Sequence, residues 1–434
     1  MGSDMFVALG QATVDGHTYF AQNSGQPAGQ SQALCLTPRR QFTPGEKLRT
    51  QHLEIDQARE VHAVLGSRAR GMWGCTHGMN SRGVAAGCLA LPAALSAARP
   101  GLLGSDLVRL MLERSSSARQ AVDLLADLVK QHGQGCYPGC SPDLAHDGAL
   151  LIADPVEAYA VETAGPHWVY QEIKEVRAVS NVRVVHQDWD RISCGLASYA
   201  IERGWWPEDG SKLDFAAVLS REDTRAAASM RRWGRGTLLL QEQNGHIDGA
   251  LFRRLLCDHA EGSSAAVPFL KHTGNTESIC SHPRGPASAS TAASMIAELS
   301  PEPTHVPHAW CAFGVPCASV FFPVFLDGEL PEAFVQDQME VPGAGFGGRL
   351  VKLAEQRNEA PDRLARVREA FSHLQAFFDQ ETRDFLAEAA LLKKQGTTAE
   401  LQRHASMFMQ YNLEKFEEAY AEAVRPRGRV AVEI

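Results

Sequence analysis

Met5–Gln22, MFVALGQATVDGHTYFAQ, is the stretch on which the fold turns. FVAL is a short apolar run, and after Val14-Asp15-Gly16-His17 a second run, TYFAQ, begins at Thr18. An Asp-Gly pair supplies the positive φ that a tight turn between two strands needs, so the stretch reads as a β-hairpin. Outward from it, β-like runs recur at 52–55, 61–65 and 83–89. Residues 104–133 are helical. There Leu107, Leu110 and Met111, then Ala121, Leu124, Leu125 and Leu128, recur at three- and four-residue spacing, with 115–117 breaking the segment into two helices.

A β meander follows at 147–183 as ALLIAD, EAYAVET, HWVYQEI and VRAVSNV, separated by short turns. Helices return at 194–204 and 222–258, and four more short β-like runs end near Phe325. Strands in consecutive groups with paired helices between them suit an α+β fold. Two antiparallel sheets sandwiched by helices fit this order better than a parallel doubly wound sheet.

From about 330 the composition shifts. Pro331, Pro342 and GAGFGG at 343–348 read as an irregular connection. Beyond it, Leu364, Val367, Phe371, Leu374, Phe378, Phe385 and Leu392 make a helical seam that Gly396 stops. Thr397 with Glu400 carries a capping-box pattern for a second helix striped by Leu401, Phe408, Tyr411, Phe416 and Tyr420. The expected organisation is a sandwich over 1–335 and a C-terminal helical hairpin over 336–434. A stripe this apolar must be covered by the main domain or by a second copy of the chain, which leaves a homodimer open.

The formal net charge of −9 argues against a nucleic-acid binder, which normally shows a basic face. No apolar run reaches the ~18 residues that span a membrane. The N-terminus lacks the basic and apolar regions of a secretion signal, and Phe6 stands where a myristoylation motif needs Ser or Thr. The 10 cysteines are irregularly spaced and read as free thiols in a reducing cytoplasm. Cys136 and Cys140, in CYPGC, have no second pair at zinc-finger spacing, so they read as loop thiols. No metal and no cofactor are expected.

FVALGQATVDG at 6–16 resembles the opening of secernins, which group with a dipeptidase branch of the N-terminal-nucleophile hydrolases. The resemblance continues in order through HLEIDQ (52–57), VHAVLGSR (61–68), WGCTHGMNSRGVAAG (73–87), SDLVRLMLERSSSARQAVDLL (105–125) and HGQG (132–135). It runs on through ADPVEAYAVETAG (153–165), VSNV (179–182), GWW (204–206), TAASMIAEL (291–299) and PCASVFFPVF (316–325). It implies a four-layer αββα sandwich and hydrolysis of an amide bond in a small peptide, such as a dipeptide, or an N-acyl amino compound.

The chemistry implied needs a Cys, Ser or Thr at the mature N-terminus, whose own α-amine serves as base. A cation and a carboxylate position that amine, and N–H donors hold the oxyanion. Ser3 falls at the nucleophile's position, followed by a matching Asp4. Natural Ser, engineered replacement of a Cys, and cloning remnant are the readings open for it. Gly2 keeps the nitrogen of Ser3 in an amide bond, and an amide nitrogen is no base. Gln22 stands where the resemblance puts the cation, and Gly25 where it puts the carboxylate.

By the same resemblance, Asn181 is a side-chain oxyanion donor and Ala90 a backbone one. Asn80 belongs to the pattern and also reads as a turn residue. Cys75, His77 and Cys88 are expected on or beside one sheet segment, where a Cys/His nucleophile pair competes with buried structural residues. Arg231 and Arg232 sit where related hydrolases place an Arg near the substrate carboxylate, against a solvated helix face as the plainer reading.

Overall fold

The computed structural model describes residues 2–27, 29–95, 101–135, 146–220, 226–262, 278–282, 289–335, 345–355 and 361–425. The chain opens with β1 (Asp4–Ala8), β2 (Thr18–Pro27) and β3 (Gln32–Thr37). Short surface strands follow: β4 (Arg40–Gln41), β5 (Lys47–Arg49), β6 (Glu54–Asp56) and β7 (Glu60–Val61). Next come β8 (Val64–Ala69), β9 (His77–Asn80), β10 (Ala85–Pro92), α1 (Gly104–Arg114) and α2 (Ala118–His132). The second strand group is β11 (His146–Ala153), β12 (Ala158–Ala164), β13 (His167–Ile173), β14 (Val176–Ser180) and β15 (Arg191–Ile192). Four helices follow: α3 (Leu196–Glu202), α4 (Phe215–Leu219), α5 (Ala226–Glu242) and α6 (Gly249–Leu256). The chain continues through β16 (Ala289–Leu299), β17 (His308–Phe313) and β18 (Phe322–Phe325). It closes with α7 (Glu332–Val335), α8 (Gly345–Glu355), α9 (Pro361–Gln395) and α10 (Thr398–Val424).

Two antiparallel sheets form the middle of the molecule. One has the order β14-β1-β2-β16-β17-β18 and the other β15-β13-β12-β11-β10-β9-β8-β3. Period-two alternation sorts the second sheet's side chains. In β11, Ala149, Leu151 and Ala153 face the core shared with the six-stranded sheet, while Leu150 and Ile152 pack with α1 and α2 residues such as Leu107, Met111 and Leu125. Met5–Ala8 in β1 are all buried because that strand is covered on both faces, as a continuous apolar run requires. Helices α5 and α6 cover the outer face over β14, β2 and β16, and α9 and α10 cover β18. The result is an α+β sandwich, helix on sheet on sheet on helix.

The hairpin seam behaves as its spacing requires. Leu364, Val367, Phe371, Leu374, Phe378 and Phe385 are buried within this one chain, in the same core as β17 and β18. Phe322 is the hub of a ring cluster, with centroids 5.5 Å from Phe378 and 5.3 Å from Phe416. That burial needs no second copy of the chain.

Several local expectations are corrected. The connection between β1 and β2 is not a tight turn, because a 3-10 turn at Gly10–Ala12 lengthens it. β14 leaves the meander and pairs with β1, which moves Ser180 and its neighbours into the other sheet. Of the runs expected to end near Phe325, three are strands among the described residues, and 263–277 and 283–288 lie outside them. Gly345–Gly348 belong to α8 rather than to an irregular link, with Phe346 buried as its anchor. Thr397 makes no capping bond; its hydroxyl donates to the Leu392 carbonyl at 3.0 Å. The Cys136–Cys140 motif lies outside the described residues.

Candidate active site

Ser3 stands at the head of β1, and the strand order brings it against the segment that follows β14. Asp4 pairs across with Ser180 on one side and Asn23 on the other. The Ser3 backbone N–H donates to Asn181 Oδ1 at 2.7 Å, and the Gly25 N–H donates to Ser3 Oγ at 3.0 Å. Among the described residues that N–H is the only hydrogen-bond partner of the Ser3 hydroxyl, so no base touches it.

The positive charge of this corner comes from α5. Arg232 is buried, and its Nε lies 3.1 Å from both carboxylate oxygens of Asp4. Its Nη2 donates to Asn181 Oδ1 at 3.1 Å, while Ser180 Oγ donates to Asp4. Burial pushes the Asp4 carboxyl up, and Arg232 with Ser180 pull it back toward the charged form. Helix α5 reaches the strands this closely at Gly236, where a Cβ would lie 2.5 Å from the Phe6 ring. Arg231, one residue earlier, is exposed on α5, so of the two adjacent arginines it is Arg232 that is buried in this corner. A helix turns about 100° per residue, and only one of two adjacent side chains can face the sheet.

Gly25 has no room for a carboxylate while Gly2 is present. A Cβ at Gly25 would lie 2.2 Å from the Gly2 carbonyl oxygen, and a Cβ at Gly2 would lie 3.4 Å from the Arg232 guanidinium carbon. The Gly2 peptide thus fills the notch between Gly25 and Arg232. Gln22 points elsewhere: its Nε2 donates to Ser24 Oγ at 3.1 Å and to the Cys88 carbonyl at 3.0 Å, bridging the two sheets. It does not stand in for a cation at Ser3.

Asn181 is held by the backbone and charges around it. Its Nδ2 donates to the Ala90 carbonyl at 2.8 Å. Beyond it, Arg183 forms a buried pair with Asp147 at 2.6 Å, and Glu162 accepts from the Val184 and Val185 N–H groups. Burial raises Glu162 to about 7. In this arrangement the Ala90 carbonyl faces Asn181, and Asn181 holds the nitrogen of Ser3 through its oxygen. Nδ2 keeps a second hydrogen for another acceptor.

The remaining candidates fall away from this corner. Asn80 donates to the Leu112 and Ser115 carbonyls and accepts from the Arg82 and Val84 N–H groups, which is a turn lock and leaves nothing for a substrate. Cys75 lies on the helical side of its sheet, with Sγ 3.5 Å from Cys35 Sγ. His77 instead meets Ser24 Oγ at 2.9 Å, and burial drives its pKa down to about 3. Cys75 and His77 therefore form no nucleophile pair, and burial pushes the Cys88 thiol up to about 12. A cleft of about 770 Å³ is lined by His259, Cys317, Arg368 and Phe371 and not by Ser3. Size alone does not mark the chemistry here.

No family model matches the sequence. Among solved structures, the chain is similar to penicillin V acylase from Agrobacterium tumefaciens, at 14% identity over 74% of this chain and 86% of that one, TM-score 0.42. It is also similar to a mutant of conjugated bile acid hydrolase from Clostridium perfringens, at 14% identity over 75% and 94%, TM-score 0.38. A third is the Caenorhabditis elegans ortholog of an N-acylethanolamine-hydrolyzing acid amidase, at 10% identity over 68% and 91%, TM-score 0.31. No helix among the described residues is long and apolar enough to cross a membrane.

Proposed function

We propose that this chain is an amide hydrolase of the N-terminal-nucleophile kind, acting on a small peptide or N-acyl amino compound. Ser3 is its nucleophile, and the Ser3 α-amine is its base once the Gly2 peptide has been removed. The observation that carries the reading is the placing of the Ser3 nitrogen, 2.7 Å from Asn181 Oδ1 and next to the Asp4–Arg232 pair. A freed α-amine titrates near neutrality, so an unprotonated fraction able to act as base is present at about pH 7.

The amine then takes the proton of Ser3 Oγ as that oxygen bonds to the substrate carbonyl carbon. The carbonyl electron pair moves onto its oxygen, where the free hydrogen of Asn181 Nδ2 and a backbone N–H at the end of β10, near Ala90, are candidates to receive it. Collapse breaks the C–N bond as the ammonium returns its proton to the leaving nitrogen. Water then cleaves the Ser3 ester with the same amine as base. Removing Gly2 also opens the notch over Gly25, which becomes room for the scissile group. Dipeptides are the substrates to try first, because the secernin resemblance points to them.

A second reading, a pocket kept only for binding, has its own observation: with Gly2 in place the notch is filled and no base touches Ser3 Oγ. One experiment separates them. The chain is produced starting at Ser3, its terminus verified by intact mass, and assayed against dipeptides and N-acyl amino acids. Hydrolysis that Ser3→Ala lowers by about two to four orders of magnitude, and that the Met1 form lacks, supports the hydrolase. No turnover by the Ser3-first chain leaves the binding reading. Turnover by the Met1 form that Ser3→Ala abolishes means that the base is another group.

A further inference from the structure

Four metal-ligand side chains converge where three separate segments meet. His259 follows α6, Cys280 and His282 lie in the segment leading into β16, and Cys317 sits in the turn between β17 and β18. One ligand atom from each lies within 4.8 Å of all the others. His282 Nε2 is 3.1 Å from His259 Nε2, 3.3 Å from Cys317 Sγ and 3.7 Å from Cys280 Sγ. With Zn–N near 2.05 Å and Zn–S near 2.3 Å, a tetrahedral site has edges of about 3.3 Å between nitrogens and about 3.5 Å between nitrogen and sulfur. Each of the three observed separations lies within about 0.2 Å of its edge. Three of the four residues are buried, so this is not a chance meeting of solvated side chains.

A second observation points the same way. His259 Nδ1 lies 3.1 Å from Glu261 Oε1. A carboxylate on one ring nitrogen fixes the tautomer and leaves the other nitrogen with its lone pair, as in carboxylate–histidine–metal arrangements. That other nitrogen, Nε2, is the one aimed at the cluster. His259 and Cys317 also line the 770 Å³ cleft, which gives an ion a path from solvent.

We propose that His259, Cys280, His282 and Cys317 bind one zinc ion as a closed His2Cys2 structural site. Nitrogen and sulfur in equal number at tetrahedral spacing favour zinc over the harder cations, and four protein ligands leave no open position for catalysis. Binding converts both thiols to thiolates and releases their two protons to solvent. The ion staples the end of α6 to the entry of β16 and to the β17–β18 turn. Ser281 accepts from the Thr291 N–H, and Thr291 pairs with Gly25, so the staple also steadies the strand beside Ser3.

The test measures metal in the full chain, purified under reducing conditions with zinc supplied, and does not depend on hydrolysis. Elemental analysis should find about one zinc per chain. Cobalt exchanged into the site should show thiolate-to-metal charge transfer and tetrahedral visible bands, both lost in Cys280→Ser and kept in Cys194→Ser. Because Cys280→Ser could unfold, the wild-type chain is also alkylated and mapped by mass. Cys280 and Cys317 should be protected with zinc and become reactive after chelation, while exposed Cys194 reacts in both states. A chain without stoichiometric zinc, cobalt bands that survive Cys280→Ser, equal alkylation before and after chelation, or a Cys280–Cys317 disulfide would each overturn the proposal.

Discussion

The two ends of the six-stranded sheet are ordered by opposite means. At the β14–β1 end, position is set by polar groups: Asp4, Arg232, Ser180 and Asn181 are joined by direct hydrogen bonds. At the β17–β18 end, it is set by shape: Phe313, Phe322, Phe334, Phe346, Phe378 and Phe416 interlock beneath the helical hairpin. Aromatic packing tolerates small displacements because dispersion is non-directional, whereas a buried ion pair has one good geometry. At the end that carries the candidate chemistry, a single change leaves a buried charge unpaired, whereas at the other end it leaves a cavity.

Breaking either end with one change should cost about the same, and the ends should differ in what repairs the loss. Arg232→Met leaves Asp4 buried without its partner and should cost about 3–5 kcal/mol in denaturant unfolding. Removing both charges, with Asp4→Leu and Arg232→Met together, should restore most of that loss, since a buried pair often does no better than an apolar substitute. If the double variant is as unstable as the single one, the pair is not the organising contact of this end.

At the aromatic end, Phe371→Ala should cost about 3–5 kcal/mol through lost burial and a residual cavity. No partner substitution should rescue it, because the loss is volume and not charge. A loss below about 1 kcal/mol would remove Phe371 from the core.

A smaller effect tests how Gly2 and Gly25 share space. Gly25→Ala in the chain that retains Gly2 should destabilise by about 1–3 kcal/mol, because the new Cβ meets the Gly2 carbonyl. In a chain beginning at Ser3 the same change should cost little. Equal losses in both chains would show that Gly2 does not fill the notch.

The smallest effect is a pH dependence midway along the sheet. Burial alone would raise Glu298, but the bond with His17 and the nearby His308 and His305 bring its pKa down to about 2. A carboxyl whose folded pKa is depressed adds stability above its unfolded pKa of about 4.3, and loses it as pH falls toward 2. His17, raised by the same bond, adds stability below its unfolded pKa and loses it as pH rises through the folded one. Glu298→Gln should flatten the acid limb of stability between about pH 4.5 and 2 by roughly 1–2 kcal/mol. An unchanged acid limb would mean that the His17–Glu298 contact is not formed in solution.

Local patterns in the chain were enough for a strand pair at 5–22, the α1–α2 break, the first three strands of the meander and the buried seam of α9, because each is written in period-two or three/four spacing over neighbouring residues. Ser3, Asn181, Gln22 and Gly25 could be singled out as candidates through the resemblance, and the secernin and dipeptidase readings rest on it still. What spacing could not express is which side chains meet. Arg232 rather than Arg231 faces Asp4 because α5 settles on the sheet at Gly236. Gly25 is needed because Gly2 passes over it, and β14 changes sheets to bring Asn181 beside Ser3. His259, Cys280, His282 and Cys317 follow no ligand spacing along the chain; three segments supply them, and only the packing of α6, β16 and the β17–β18 turn makes them neighbours. Periodicity reports what each element buries, while a site is made of contacts between elements, and those are set by how the layers close.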